Sequence, residues 1–143
     1  MRSLLDVNVL LALLDANHLH HGLVMAWWKE HQGQGWASCP LTQNGVLRIM
    51  SGSSYLNRQA PAVVAERLGL ATAHTSHKFW PDTLSLLEAG LLKWERVIGS
   101  RQITDTYLLA LAVKNGGRFV TLDKGVSVQA VRDASPKHLL TLA

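Results

Sequence analysis

A single cysteine, Cys39, is all the thiol chemistry this chain has. No internal disulfide can form, which points to a reducing compartment. No Cys/His spacing builds a zinc site either. His18, His20 and His21 cluster, but no complementary Cys or His pair follows, so surface and helix-start positions are the expectation for them. No apolar run approaches the roughly 18 residues of a membrane helix, so no membrane association is expected. Asp6 falls where a secretory signal would need uninterrupted apolar residues; no signal is read, and a cytoplasmic location is the expectation. Internal repeats, low-complexity tracts and Pro/Gly/Ser-rich linkers are also missing, which argues for one domain over residues 1–143.

What is present is an ordinary globular balance, 48% hydrophobic and 17% charged, so disorder of the whole chain is excluded. The formal net charge of +4 favours a polyanionic partner such as a nucleic acid or an acidic protein. Short apolar runs read as strands at 2–7 (RSLLDV), 35–40 (GWASCP), 77–82 (HKFWPD), 118–123 (RFVTLD) and 137–143 (KHLLTLA). Between them, helical patterns are expected at 9–18, 18–35, 41–52, 62–74, 83–94 and 103–117, the fifth interrupted by Gly90. Residues 53–61 read as a polar connector and 124–135 as irregular. Strands alternating with helices predict a three-layer α/β/α fold with a central, mainly parallel sheet.

In such a fold, ligands bind at the carboxyl ends of the strands. Asp6 stands at the end of the first strand, and Asp123 ends RFVTLD. Asp105 opens the helix leading into that strand, while Gln43 and Asn44 open the helix after GWASC. A crossover helix runs antiparallel to its strands, so all of these positions fall on one rim. Each carboxylate has a structural explanation. Asp6 can cap the following helix, Asp105 suits a helix first turn, and Asp123 before Lys124-Gly125 suits a turn. Together they say more. Three carboxylates at one place repel, and one must keep a proton unless a cation neutralises them. Hard divalent ions such as Mg²⁺ or Mn²⁺ take such oxygen ligands, and an ion so held can orient water for attack on a phosphodiester.

The segments LLDVN, LTQNGVLRI and TDTYLLALAVKNGGRFVTLD resemble a PIN domain, and DANHLHHGLVMAWW resembles the second-helix region of VapC-type toxins. The resemblance covers nearly the whole chain. It implies a metal-dependent endoribonuclease toxin that cleaves structured RNA, commonly transfer or ribosomal RNA. It further implies a homodimer inhibited by a VapB-type antitoxin. Carried over, Asp6, Asp105 and Asp123 match the family's catalytic, metal-binding aspartates, with Mg²⁺ as cofactor and Mn²⁺ as substitute. Asn8 and Thr104 match supporting polar positions. The chain departs from the family after Thr42, where Gln43, followed by Asn44, replaces the usual Glu. An amide offers an oxygen but no charge, so weaker metal affinity is expected, and a PIN scaffold that binds RNA or antitoxin without cutting becomes the alternative.

Arg48, Arg101 and Lys124 are the basic residues expected to contact RNA phosphates. Trp27, Trp28, Trp36, Trp80 and Trp94 could stack on bases, although core or interface is the ordinary place for such side chains. Two other enzyme classes fit less well. An aspartate-based phosphatase needs a second carboxylate two residues after its nucleophile, where this chain has Asn8, and a phosphate-accepting receiver domain needs an acidic pair after its first strand. Replacing Gln43→Glu is expected to tighten Mn²⁺ binding in calorimetry; unchanged binding would put residue 43 outside the site.

Overall fold

A five-stranded sheet in the order β3-β2-β1-β4-β5 forms the centre of the computed structural model, which describes residues 1–142. The strands are β1 (Ser3–Leu5), β2 (Trp36–Ser38), β3 (His77–Phe79), β4 (Arg118–Thr121) and β5 (Leu139–Thr141), and every neighbouring pair is parallel. Ala143, to which the expected last strand extends, lies outside the described residues.

Side chains alternate across the sheet. Leu4, Ala37 and Phe119 face one core, while Leu5, Trp36 and Val120 face the other. Both faces are therefore covered, as a parallel sheet requires. On the second face lie α1 (Val7–Leu14), α2 (His21–His31), α3 (Pro40–Met50) and α4 (Pro61–Thr72). The first face packs on α5 (Ile103–Lys114). From Thr106 to Ala112 every residue of α5 is buried, so this helix is covered on all sides.

The covering comes from residues 83–94, which corrects the sequence expectation of a helix there. The segment runs as turns, and Leu92 bridges antiparallel to Val131. Two backbone bonds fix this bridge, Lys93 N to Ala130 O and Arg132 N to Leu91 O, both 2.9 Å. Gly90 turns the chain at φ +76°, a conformation a helix interior does not allow. Leu91 and Leu92 are thereby buried against the α5 side of the core. Packing of spaced leucines onto α5 outweighs the local helical propensity.

The first three strands step outward from β1 with their helices on one face. The chain then crosses back through α5 on the other face to place β4 on the open side of β1. The strand order thus reverses between β1 and β4, and a crevice opens there at the carboxyl edge. Two helices, α1 and α3, reach that edge in close contact. A Cβ on Gly45 would stand 2.6 Å from Val7 Cγ2. Gly45→Ala should therefore lower thermal stability by about 1–2 kcal/mol, the overpacking cost exceeding the gain in helix propensity. A raised Tm in calorimetric scans would show that the helices can separate freely.

No helix is long and apolar enough to cross a membrane among the described residues.

Candidate active site at the carboxyl edge

Asp6 follows β1 directly and caps α1. Its Oδ1 accepts from Val7 N at 2.7 Å, and its Oδ2 accepts from Thr121 Oγ1 at 2.5 Å. The capping role and the rim position thus belong to one side chain. Asp6 is only 6% exposed. Burial raises its pKa, the two hydrogen bonds oppose that rise, and the Asp123 charge adds to it.

Thr121 joins the two central strand ends. Besides donating to Asp6, its hydroxyl accepts from Asp123 N at 3.0 Å. Asn8 reaches across from α1, where its Oδ1 accepts from Leu122 N at 3.2 Å and its Nδ2 stands 3.5 Å from Thr121 Oγ1. Asp123 is exposed, and its Oδ1 accepts from Gly125 N at 2.7 Å, closing a tight turn. Gln102, just before α5, holds that turn in place. Its Nε2 donates to Gly125 O at 3.1 Å and its Oε1 accepts from Ile98 N at 2.8 Å.

Asp105 sits on the first turn of α5, half-buried, facing the other two acids. Its carboxyl is pushed up to about 7 by burial, then by the charges of Asp6 and Asp123, with a hydrogen bond to Asp123 adding to the effect. The three acids brought together from β1, α5 and β4 thus behave electrostatically as one group. None of them pairs with a cation. Among the described residues the ion pairs are Arg132 with Glu88 and with Asp133. A set of hard oxygen donors with no positive partner fits a hard divalent cation. As they stand, no three His, Cys, Asp or Glu side chains among the described residues are grouped closely enough to hold one.

The other sequence candidates separate. Gln43 lies at the rim end of α3, but its Nε2 donates inward to Ser38 Oγ at 3.0 Å, and Ser38 Oγ meets His77 Nε2 at 2.8 Å. Burial lowers the His77 pKa, which keeps that ring neutral. Asn44 and Thr104 are exposed on the first turns of α3 and α5. The buried threonine of α5 is instead Thr106, which donates to Gln102 O at 2.6 Å. Arg101 and Lys124 are exposed, four residues before Asp105 and one after Asp123 in the chain. Arg48 occupies the last turn of α3, about 12 Å along the helix from its rim end. Its side chain is exposed there. Cys39 is fully buried, and His21 binds Ala12 O through Nδ1 at 2.6 Å as α2 begins.

Thr121, Gln102, Ser38 and His77 escape a reading of the sequence, because threonine, glutamine, serine and histidine carry no charge pattern. The one visible signal was the Thr in TLD, two residues before Asp123.

The folded protein holds a proton on Asp105 between about pH 4 and 7 that the unfolded chain has lost, so stability falls as pH rises through that window. In chelator at pH 8, Asp105→Asn should raise Tm by a few degrees. The gain should shrink toward pH 4, and added Mn²⁺ should reverse the order of the two proteins. An equal Tm at both pH values would remove Asp105 from the coupled group.

The PIN domain family matches residues 3–131. Ribonuclease VapC44 of Mycobacterium tuberculosis is 45% identical over 142 residues, covering 99% of this chain and 100% of its own. Ribonuclease VapC39 of the same organism is 38% identical over 131 residues, 91% of this chain and 94% of its own. Two solved structures share the fold at low identity. VapC20 of Mycobacterium tuberculosis, a sarcin-ricin loop cleaving toxin, aligns with a TM-score of 0.59 at 14% identity, covering 81% of this chain and 85% of its own. VapBC2 from Rickettsia felis, bound to a DNA fragment from its promoter, aligns at 0.56 and 12% identity, covering 88% and 96%. The family match spans β1, α5 and β4, where the three acids stand, and with full-length identity to named VapC ribonucleases it makes this chain a member of the PIN domain family, among the VapC ribonuclease toxins.

Proposed function

We propose that this protein is a Mg²⁺- or Mn²⁺-dependent endoribonuclease toxin that cuts structured RNA of the transfer or ribosomal class, and that a VapB-type antitoxin restrains it. The observation that carries this reading is the convergence of Asp6, Asp105 and Asp123 at the reversal point of the sheet with no cationic side chain paired to any of them. These three would hold the ion. When bound, a divalent ion supplies a polarised water and neutralises charge developing on a phosphodiester.

The chain's own residues supply position. Thr121 and Val7 N fix both oxygens of Asp6, so this carboxylate cannot swing when substrate arrives. Asn8 ties the start of α1 to the backbone after β4. Without a bound ion the Asp105 carboxyl is pushed up to about 7 by burial and by the charges of Asp6 and Asp123, so a cation that binds there would displace its proton. Arg101 and Lys124, close to Asp105 and Asp123 in the chain, would hold RNA phosphates, making affinity fall steeply with salt. Arg48, lower on α3, reaches only a more distant stretch of backbone.

The antitoxin would occupy an apolar groove between α1, α2 and α4, lined by Leu10, Leu13, Leu14, Met25, Trp28 and Leu68. Support for such a partner comes from the Rickettsia felis neighbour, a VapBC complex of the same fold. A homodimer and a cytoplasmic location belong to the same proposal. One observation favours a second reading, a scaffold that binds without cutting. Gln43 spends its amide hydrogen on Ser38 and brings no charge to the rim.

The test uses purified, antitoxin-free protein and total RNA in Mg²⁺, in Mn²⁺ and in chelator, with fragment ends sequenced. Discrete cuts that need metal and drop at least about a hundredfold in Asp105→Asn are expected, the scale on which loss of one transition-state contact falls. Folded wild-type protein that binds RNA and leaves it intact would establish the scaffold instead.

A further inference from the structure

Two aromatic side chains among the described residues stand about half exposed, Phe79 at 47% on the edge strand β3 and Trp94 at 49%, and of the two Trp94 lies on the segment tied to the acidic crevice. Trp36 and Trp80 are 4% and 3% exposed, and Trp27 and Trp28 are half-buried against neighbouring rings. Trp94 is 49% exposed, on a 3-10 turn over Trp94–Arg96. Ile98, four residues on, is 87% exposed. Leaving an indole in water forfeits a large burial gain, so its position calls for a partner.

The charges around Trp94 indicate which kind. Lys93, Arg96 and Arg101 are exposed on the same segment and Lys124 on the facing loop, with Glu95 the one acid between 93 and 101. None of the four cations has an ion-pair partner among the described residues. The segment is also anchored to the acidic crevice. Lys93 N is bonded to Ala130 O at its start, and Gln102 clasps Ile98 N and Gly125 O at its end, one bond from Asp123. By the reach of the chain, Trp94 lies within about 14 Å of Ile98, a span of a few nucleotides.

We infer that residues 93–101 form a single-strand RNA platform beside the cut site. Trp94 stacks on an unpaired base, and Arg96 and Arg101 hold the flanking phosphates. The inference rests on RNA being the substrate, as proposed above. An indole face needs a base face, and A-form duplex RNA hides its base faces in the stack. The platform therefore selects loops and looped-out nucleotides over helices. Stacking tolerates any base, so the residue sets the shape of the substrate more than its sequence. Trp94 acts here as a substrate-positioning residue.

The experiment measures binding in chelator, where wild-type protein cannot be active by the proposed mechanism. The probes are a fluorescein-labelled RNA hairpin with a long unpaired loop and a fully paired RNA duplex of matched length. Trp94→Ala should weaken hairpin binding by about 5- to 150-fold, with Trp94→Phe recovering most of it, and leave duplex binding unchanged. Arg96→Ala and Arg101→Ala should weaken both probes and each reduce the salt slope by about one. Tm values confirm that the variants fold. With cleaved RNA, Trp94→Ala should raise KM and leave kcat in place. Hairpin affinity unchanged by Trp94→Ala overturns the platform while the nuclease reading stands. Equal losses on hairpin and duplex also overturn it, since stacking cannot act on a closed helix. Wild-type protein that binds neither probe, at any salt, removes the platform and the RNA substrate together.

Discussion

The hydrogen bond from Thr121 to Asp6 joins residues 115 positions apart, and the crevice depends on it. It closes the gap between β1 and β4 at the point where the sheet's strand order reverses. The same hydroxyl receives Asp123 N, so one buried oxygen spaces two of the three acids. That spacing follows from the parallel register, in which Leu5 stands opposite Val120 and Thr121 comes level with Asp6. A threonine fits where a serine would be looser, because its branched side chain has few rotamers and its methyl group belongs to the buried strand.

Charge sets the balance between stability and activity here. The fold gathers like charges that raise the cost of folding above neutral pH, and leaves them without internal cations. A cation bound among them would supply the missing attraction. Gln43 eases this balance, because a fourth acid on the rim would add repulsion. Its partners also suit an amide. With His77 neutral and accepting from Ser38, the Ser38 oxygen has lone pairs left for an N–H donor and nothing left to donate to a carboxylate. Glutamine at 43 is thus consistent with its buried neighbours, whatever it costs in affinity for metal.

The acids of the rim were legible in the sequence because a charge at the end of an apolar run is costly unless it reaches an edge. The α/β/α layering was legible for a similar reason, since buried strands and helices leave different periods. Residues 83–94 defeated this reading. Their leucines recur at spacings a helix also produces, and the turn at Gly90 together with the long-range bridge of Leu92 to Val131 decides against it. Arg48 shows a related limit. Membership of a helix that reaches the rim does not say which end of the helix a residue occupies. The clasp made by Gln102 was invisible because it consists of two bonds to backbone atoms, and backbone partners leave no mark on side-chain pattern.

The central position of β1 has a consequence for how this protein comes into being. The first strand made is flanked by β2 and by β4, and β4 begins only at Arg118. A ribosome needs on the order of ten seconds to reach that point. Until then the nascent chain carries Asp6 without Thr121 or Asp123 and holds no finished crevice. The crevice is therefore assembled late in synthesis, after most of the chain has been made.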